Sequence, residues 1–434
     1  MHRDDVDAFF ARAGELDADA YIELDFTFEC VGDPRLAAAH LCSEQSTAQW
    51  HRVGVAEDYR PRHAAKVLAL DVAMQPSGFS YPIANAPRGD VHRCRATIAH
   101  PHANFGPRFP NLLSAICGEG VFFTPGIPIV SLDDVRFPAS FLEAFAGPRF
   151  GIAGLRAQLQ AYDRPIFFGV IKPNIGLEPE AFAALGLEAL RGGLDIAKDD
   201  EMLADPVWSP LAVRAAAMGR ARARAEAETG VPKMYLANIT DDVDQLMTQH
   251  DVAVAAGANA VMLNALPVGL SAARMVTRQA RVPVVAHFPM IAAMSRIPGY
   301  GVHSRVFTKL QRLAGFDVII MPGFGSRMMM SAHEVLENVR ACVEPMGHLK
   351  PAVPVPGGSD SAATLEHVYR AVGSVDFGFV PGRGVFGHPM GPAAGATSLR
   401  QAWDAIAQGV PVEEYARTHS ELAAALTAFV VPAP

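Results

Sequence analysis

No apolar run in this 434-residue sequence reaches the roughly 18–20 residues needed to cross a bilayer. A membrane-spanning protein is therefore not expected. The first residues, Met1-His2-Arg3-Asp4-Asp5, lack the apolar core of a secretory signal. Cysteine is scarce: the five residues Cys30, Cys42, Cys94, Cys117 and Cys342 are odd in number, widely spaced and without a Cys-x-x-Cys pair. This argues against a disulfide framework or a cysteine-rich zinc site and fits reduced thiols. No run of like charge is long enough to be an interaction tail, and low-complexity segments are absent. The net charge of −8 gives no long-range attraction to nucleic acid or anionic lipid. The expectation is a cytoplasmic protein with neither nucleic acid nor membrane as a partner.

Half of the residues are hydrophobic and 19% are charged, an ordinary globular balance with ample core. Residues 1–137 read as a small α+β domain of ferredoxin-like type. Tyr21–Phe28 alternates as a strand, Arg35–Cys42 is a short helix, Lys66–Leu70 and Val91–His100 are further strands, and Leu112–Cys117 is helical. Gly147-Pro148 and Gly151 lie near the join to a second domain, 138–434. From Pro165 a β-rich run followed by a helical segment repeats eight times: Ile166–Pro173, Leu194–Asp200, Lys233–Thr240, Ala260–Leu266, Val282–Phe288, Asp317–Gly323, Ala352–Gly358 and Asp376–Gly384. Pro210–Gly230 and Ser304–Leu313 are examples of the intervening helices. Strands alternating with helices imply parallel βαβ units, and eight of them imply a (β/α)₈ TIM barrel. Chemistry in that fold sits at the C-terminal ends of the strands. Here those ends carry Lys172, Lys198–Glu201, Asn238, Asn264, His287, Gly357-Gly358 and Gly382-Arg383-Gly384.

The second of these ends is the richest. Gly192-Gly-Leu-Asp-Ile-Ala-Lys-Asp-Asp-Glu201 opens as a buried strand and closes on one lysine and three acids. Alternation lets Lys198 and Asp200 point the same way, with Glu201 at the turn. Hard carboxylate ligands suit Mg²⁺. A lysine among them makes sense if its neutral amine takes up CO₂ to become a carbamate, an anionic oxygen ligand. The plain alternative is a strand end with a solvated charge cluster.

Taken together, Glu44-Gln-Ser-Thr, Ile171-Lys-Pro-Asn-Ile-Gly-Leu, Gly192–Glu201 and Gly387-His-Pro-Met-Gly make a specific pattern spread over nearly the whole chain. It resembles the large subunit of ribulose-1,5-bisphosphate carboxylase/oxygenase (RuBisCO), and within that family the RuBisCO-like proteins that do not fix CO₂. The resemblance implies a carbamylated Lys198 with Asp200 and Glu201 as Mg²⁺ ligands. It implies Lys172 at the substrate's reacting oxygens and His287 beside a substrate hydroxyl. Glu44 would be lent to the site of a neighbouring subunit, making the protein a homodimer or higher homo-oligomer. Gly357, Gly358, Gly382 and Gly384 would donate backbone amides to one phosphate, and Arg383 stands among them as a further anion ligand.

The departures are as informative. Asn174 replaces a proton-handling lysine, Phe288 an arginine, and Arg327 the lysine that steadies CO₂. Ile320-Met-Pro-Gly-Phe-Gly stands where carboxylases have a histidine and a second phosphate turn. The expectation is that Phe288 and Ile320 make that end of the pocket apolar. Glu119 occupies the place of a carboxylase asparagine, or of the lysine base of the methionine-salvage enolase. The expected enzyme is thus no carboxylase. It is a Mg²⁺-dependent isomerase or decarboxylase of a small phosphorylated ketose or oxo sugar acid, working through an enediolate, with the Lys198 carbamate, Lys172 or Glu119 as base. The alternatives are the diketo-methylthiopentyl-phosphate enolase and a catalytically silent structural or regulatory protein. Simpler readings are a salt-bridged Lys172, a core His287, a surface Arg383, an exposed Glu119, and Asn238 and Asn264 as helix caps. His303, His388 and Met328–Met330 read as structural.

Overall fold

The computed structural model describes residues 3–49, 57–75 and 77–429; the opening Met1-His2 lies outside them. The chain forms two compact units. The first comprises the chain up to Ala146 with Ile291–Leu310 and Pro345–Leu349, and the second comprises Gly147–Met290, Gln311–Glu344 and Lys350 onward. In chain order the strands are β1 (Tyr21–Val31), β2 (Lys66–Gln75), β3 (Val91–Pro101), β4 (Ile129–Arg136), β5 (Ile166–Val170), β6 (Ile196–Lys198), β7 (Met234–Asn238), β8 (Ala260–Asn264), β9 (Val284–His287), β10 (Gly301–Val302), β11 (Val318–Pro322), β12 (Val353–Gly357) and β13 (Gly378–Phe379).

The first unit is built on a five-stranded sheet in the order β10-β4-β1-β3-β2. β1 is antiparallel to β3 and β4, whereas β10 is parallel to β4. Ile22, Leu24, Phe26, Phe28 and Cys30 fall on one side of β1 and are all buried, as a strand with one face on a core requires. The helix Pro34–Glu44 starts where the Asp33 side chain accepts the Arg35 amide at 2.9 Å, an N-cap that satisfies an orphan donor. The compact unit is not the contiguous range 1–137. Residues through Ala146 belong to it, and the segment after β9 supplies the edge strand β10. Two residues of strand carry no periodicity, so sequence alone did not reveal it.

The second unit is the (β/α)₈ barrel. Its eight strands run in the order β12-β11-β9-β8-β7-β6-β5-β13, with parallel pairing throughout. β12 lies beside β13, closing the ring. Several strands are shorter than the apolar runs suggested, and Lys198, Asn238, Asn264, His287 and Gly357 are the last residues of theirs. Helices such as Pro179–Gly192, Leu211–Thr229 and Pro392–Gln408 cover the outside. Leu211–Thr229 ends at Gly230, whose φ of +69° suits glycine and whose amide bonds Glu226 O at 2.8 Å.

The interior is a packed column of alternate residues: Ile166 and Phe168, Ile196, Met234 and Leu236, Ala260 and Met262, Val285, Val318 and Ile320, Val353 and Val355. Leu155 and Leu159 from the helix Gly151–Leu159 close its lower end. That helix is anchored where the Phe150 and Gly151 amides donate to Asp317 Oδ1 at 2.6 and 2.9 Å. Among the described residues no helix is long and apolar enough to cross a membrane.

Candidate functional site

The two-residue period of a strand carries the core pattern directly into the site. Two residues beyond a core or core-flanking position on successive strands stand Lys172 (after Val170), Lys198 (after Ile196), Asn238 (after Leu236), Asn264 (after Met262), His287 (after Val285), Gly357 (after Val355) and Gly382 (after Val380). The same side of the strands that fills the barrel with apolar side chains therefore carries Lys172, Lys198, Asn238, Asn264 and His287 and the bare backbone of Gly357 and Gly382 at the C-terminal mouth, while β11 places Pro322 there.

Lys198 is fully buried, and its Nζ has no hydrogen-bond partner. Burial lowers its pKa, the Lys172 charge adds to this, and the Glu201 and Asp200 carboxylates oppose it. Lys172 Nζ donates to Asp200 Oδ2 at 2.9 Å and to Asn174 Oδ1. His287 Nε2 lies 3.5 Å from Glu201 Oε2, while its Nδ1 is buried without a partner. Burial, then the charges of Lys198 and Lys172, hold His287 well below the ordinary histidine range, so the ring is neutral. Phe288 stacks on it at 4.7 Å between ring centroids. Lys172, Lys198, Asp200, Glu201 and His287 thus form one electrostatic cluster.

Asp199 points the opposite way and takes no part. It is fully buried, accepting Arg214 Nη2 at 3.1 Å, Tyr235 Oη at 2.8 Å and the Asn238 amide at 3.0 Å. Asn264 stands at the N-cap position of the helix Ala265–Val268, but neither its side chain nor that of Asn238 makes a helix-capping bond. Asn238 Nδ2 donates to the carbonyl oxygens of Asp200 and Glu201, both at 3.1 Å, and Asn264 Nδ2 donates to Glu201 O at 2.9 Å. The two asparagines hold the backbone of the acidic pair. Sequence reasoning assigned them to capping, although their shared place at adjacent strand ends was a usable signal.

The second cluster lies around the ends of β12 and β13. A Cβ on Gly382 would meet Lys172 Cε at 2.9 Å, so these glycines border the first cluster. Cβ atoms on Gly357 and Gly358 would lie 2.7 Å from Val380 Cγ1 and Met328 Cγ respectively. Arg383 is exposed, as is Arg327 on the turn Ser326–Met328. Ile320 belongs to the packed barrel interior, not to the pocket wall, which corrects its expected place; Phe288 is only partly buried. Glu44 and Glu119 both lie in the first unit and are exposed. Glu44 packs against the residue that follows Glu119, since a Cβ on Gly120 would stand 3.1 Å from Glu44 Cβ.

Whether these groups suit a divalent cation turns on the donor set. Among the described residues no three His, Cys, Asp or Glu side chains group closely enough to hold one. Asp200 and Glu201 need a further oxygen ligand, and the buried, unpartnered Lys198 amine is the group that CO₂ would convert into one. The residues fit a carbamate-assisted Mg²⁺ site.

The comparisons with known proteins agree with this architecture. Residues 151–429 match the family described as ribulose bisphosphate carboxylase large chain, catalytic domain. The chain is 70% identical over 429 residues to ribulose bisphosphate carboxylase-like protein 2 of Rhodopseudomonas palustris, covering 99% of each chain. It is 32% identical over 412 residues to the 3-oxo-isoapionate-4-phosphate decarboxylase of Rhizobium etli, covering 94% of this chain and 98% of that one. The crystal structure of a rubisco-like protein from Burkholderia fungorum superposes with a TM-score of 0.86 at 33% identity, covering 94% of this chain and 99% of that one. With its catalytic-domain match and relatives aligned from end to end, the chain belongs to the ribulose bisphosphate carboxylase large-chain family, alongside that family's carboxylase-like proteins.

Proposed function

We propose that this protein is a Mg²⁺-dependent enzyme that removes a proton or CO₂ from the carbon beside a ketone in a small phosphorylated ketose or oxo sugar acid. The observation that carries the reading is the buried Lys198 amine, unpartnered, beside Asp200 and Glu201 and within the field of Lys172. Asp200, Glu201 and the carbamate of Lys198 would hold the ion. When bound, Mg²⁺ supplies Lewis acidity that stabilises the negative charge developing on the substrate oxygens.

The remaining groups are disposed to handle protons. Lys172 Nζ, kept in place by Asp200 and Asn174, can donate to an enediolate oxygen. His287 is neutral with a free Nδ1, so it can accept a hydroxyl proton without first losing one. Arg383 and the glycine amides would take the substrate's anionic group, with the guanidinium fork suited to phosphate or carboxylate. The decarboxylase named among the relatives supports a β-keto acid as one form of substrate.

The test is α-proton exchange with D₂O across a panel of phosphorylated ketoses and oxo acids, with Mg²⁺ and bicarbonate present. Exchange on at least one member is expected. Exchange on none, in protein that binds Mg²⁺, would sink the reading. Ribulose 1,5-bisphosphate should not be carboxylated, because Asn174, Phe288 and Arg327 replace groups that CO₂ addition and a second phosphate require. Labelled bicarbonate appearing in phosphoglycerate above background would refute this.

The same reading makes the active protein a homodimer or larger, with Glu44 of one subunit serving its neighbour. Glu44→Ala and Lys198→Ala chains, each inactive alone, should recover part of the activity when dissociated and mixed. No recovery, in mixtures that light scattering shows to be hybrid dimers, counts against the shared site.

A further inference from the structure

The anion corner contains a group of the wrong sign for it. Asp360 follows Gly358 by two residues and is 6% exposed, and its Oδ2 accepts the Gly358 amide at 3.3 Å. The Val380 amide also bears on this carboxyl. Gly358 is one of the backbone donors assigned to the substrate's anion, so a carboxyl of the chain itself already sits on it. The Asp360 backbone is fixed by packing. A Cβ on Gly384 would stand 2.4 Å from the Asp360 carbonyl oxygen and 2.8 Å from Ser361 Cα.

We infer that Asp360 sets the charge of the anionic group that this corner admits. With its proton on, the carboxyl is neutral and its O–H is an additional donor. With the proton off, the carboxylate keeps the Gly358 amide for itself and repels a second anion across a short, poorly solvated distance. The inference rests on the assignment of this corner to the substrate's anion.

Burial pushes the Asp360 carboxyl up to about 7, against the pull of the Gly358 and Val380 amides. The change of state therefore falls in the neutral range. The charged and titratable side chains near the corner do not cancel it. Lys172 passes beside Gly382 but is paired with Asp200, Arg383 and Arg327 are exposed, and His367 lies edge-on to Phe324. None of these is among the causes of the Asp360 shift. A singly charged carboxylate or phosphate ester is repelled less by the ionised form than a doubly charged phosphate, which is admitted mainly on the acid side.

Sulfate is the suitable probe, because unlike phosphate it stays a dianion across this range. Its binding to the full-length protein is measured by calorimetry at pH 6 and pH 8, for the native chain and for Asp360→Asn. The native dissociation constant should rise by up to about tenfold between the two, the most that one carboxyl titrating near 7 can give. Asp360→Asn, neutral at both pH values, should lose most of that slope. A native protein without the slope, or a variant that keeps it in full, overturns the role of Asp360. Loss of sulfate binding in Arg383→Ala would then show that the corner itself stands. Sulfate bound by neither protein at either pH overturns the corner assignment and this inference with it. Should the variant fail to fold, the native slope alone decides.

Discussion

Replacing Lys198 by methionine is expected to make the protein more stable and, at the same time, inactive. The amine is fully buried without a hydrogen-bond partner, and leaving such a group unsatisfied costs about 1–3 kcal/mol. An unbranched apolar side chain of similar length removes that cost. The sign with pH follows from the lowered pKa. The folded chain binds fewer protons at this site than the unfolded chain, so the cost is greatest at low pH and fades as pH rises towards the unfolded lysine value of 10.5. The gain of Lys198→Met in denaturant midpoint should therefore be larger at pH 6 than at pH 9.

The functional loss has the same origin. Only the neutral amine takes up CO₂, and burial favours that form below the pH at which an exposed lysine would lose its proton. Activation of the native protein by bicarbonate and Mg²⁺ should rise with pH, and ¹³C-labelled CO₂ should give a carbamate resonance. Lys198→Met should lose that resonance and tight Mg²⁺ binding. Proton exchange should fall on the order of 10³-fold, because several kcal/mol of charge stabilisation go with the ion. Native Mg²⁺ affinity in Lys198→Met would end the carbamate proposal. A variant less stable than the native protein would show that the amine is structural.

Arg214→Met should have the opposite effect on stability, lowering it by about 3–5 kcal/mol, the usual result of stripping one partner from a buried ion pair. Arg214 and Asp199 are both fully buried, and Tyr235 completes the carboxylate's shell. Burial works against the guanidinium's charge, but the Asp199 and Tyr235 neighbours hold its pKa above the ordinary arginine value. Arg214 also donates to Ser209 O at 2.6 Å, so it fastens the loop that follows Glu201. Without it Asp199 is a buried uncompensated charge, and Asp200 and Glu201 lose the support beneath them. Asp199→Asn added to Arg214→Met should restore part of the stability, since it removes the stranded charge. Chemical denaturation of the single and double variants measures this. A loss below about 1 kcal/mol in Arg214→Met would mean that the pair is of surface worth.

The sequence by itself determined the barrel and pointed to the strand ends that hold the candidate site. Eight β-rich runs with helical intervals leave few arrangements other than a parallel closed sheet, and strand alternation sets Lys198 two positions beyond Ile196. Its resemblance to the carboxylases also implied the losses at Asn174, Phe288 and Arg327, because replacing a cation by an amide, a ring or a different cation is visible without coordinates.

Tertiary structure decided what depends on a partner distant in the chain. Asp199 and Asp200 are adjacent and alike in sequence. One meets Arg214 and Tyr235 and becomes a structural anchor, while the other meets Lys172 and joins the site. The place of Asn238 and Asn264 at adjacent strand ends is a hint in the sequence, but it does not say whether they cap helices or brace Asp200 and Glu201. Their hydrogen bonds do, and they span more than 35 residues. The joining of Gly301–Val302 to the sheet of the first unit depends on a ladder between segments about 170 residues apart, which local propensity does not encode. Nothing in the sequence singles out Asp360; its burial and its hold on the Gly358 amide belong to the folded chain. Periodicity is a local property and survives in one dimension, whereas the protonation and pairing of a buried group are set by whatever the fold packs around it.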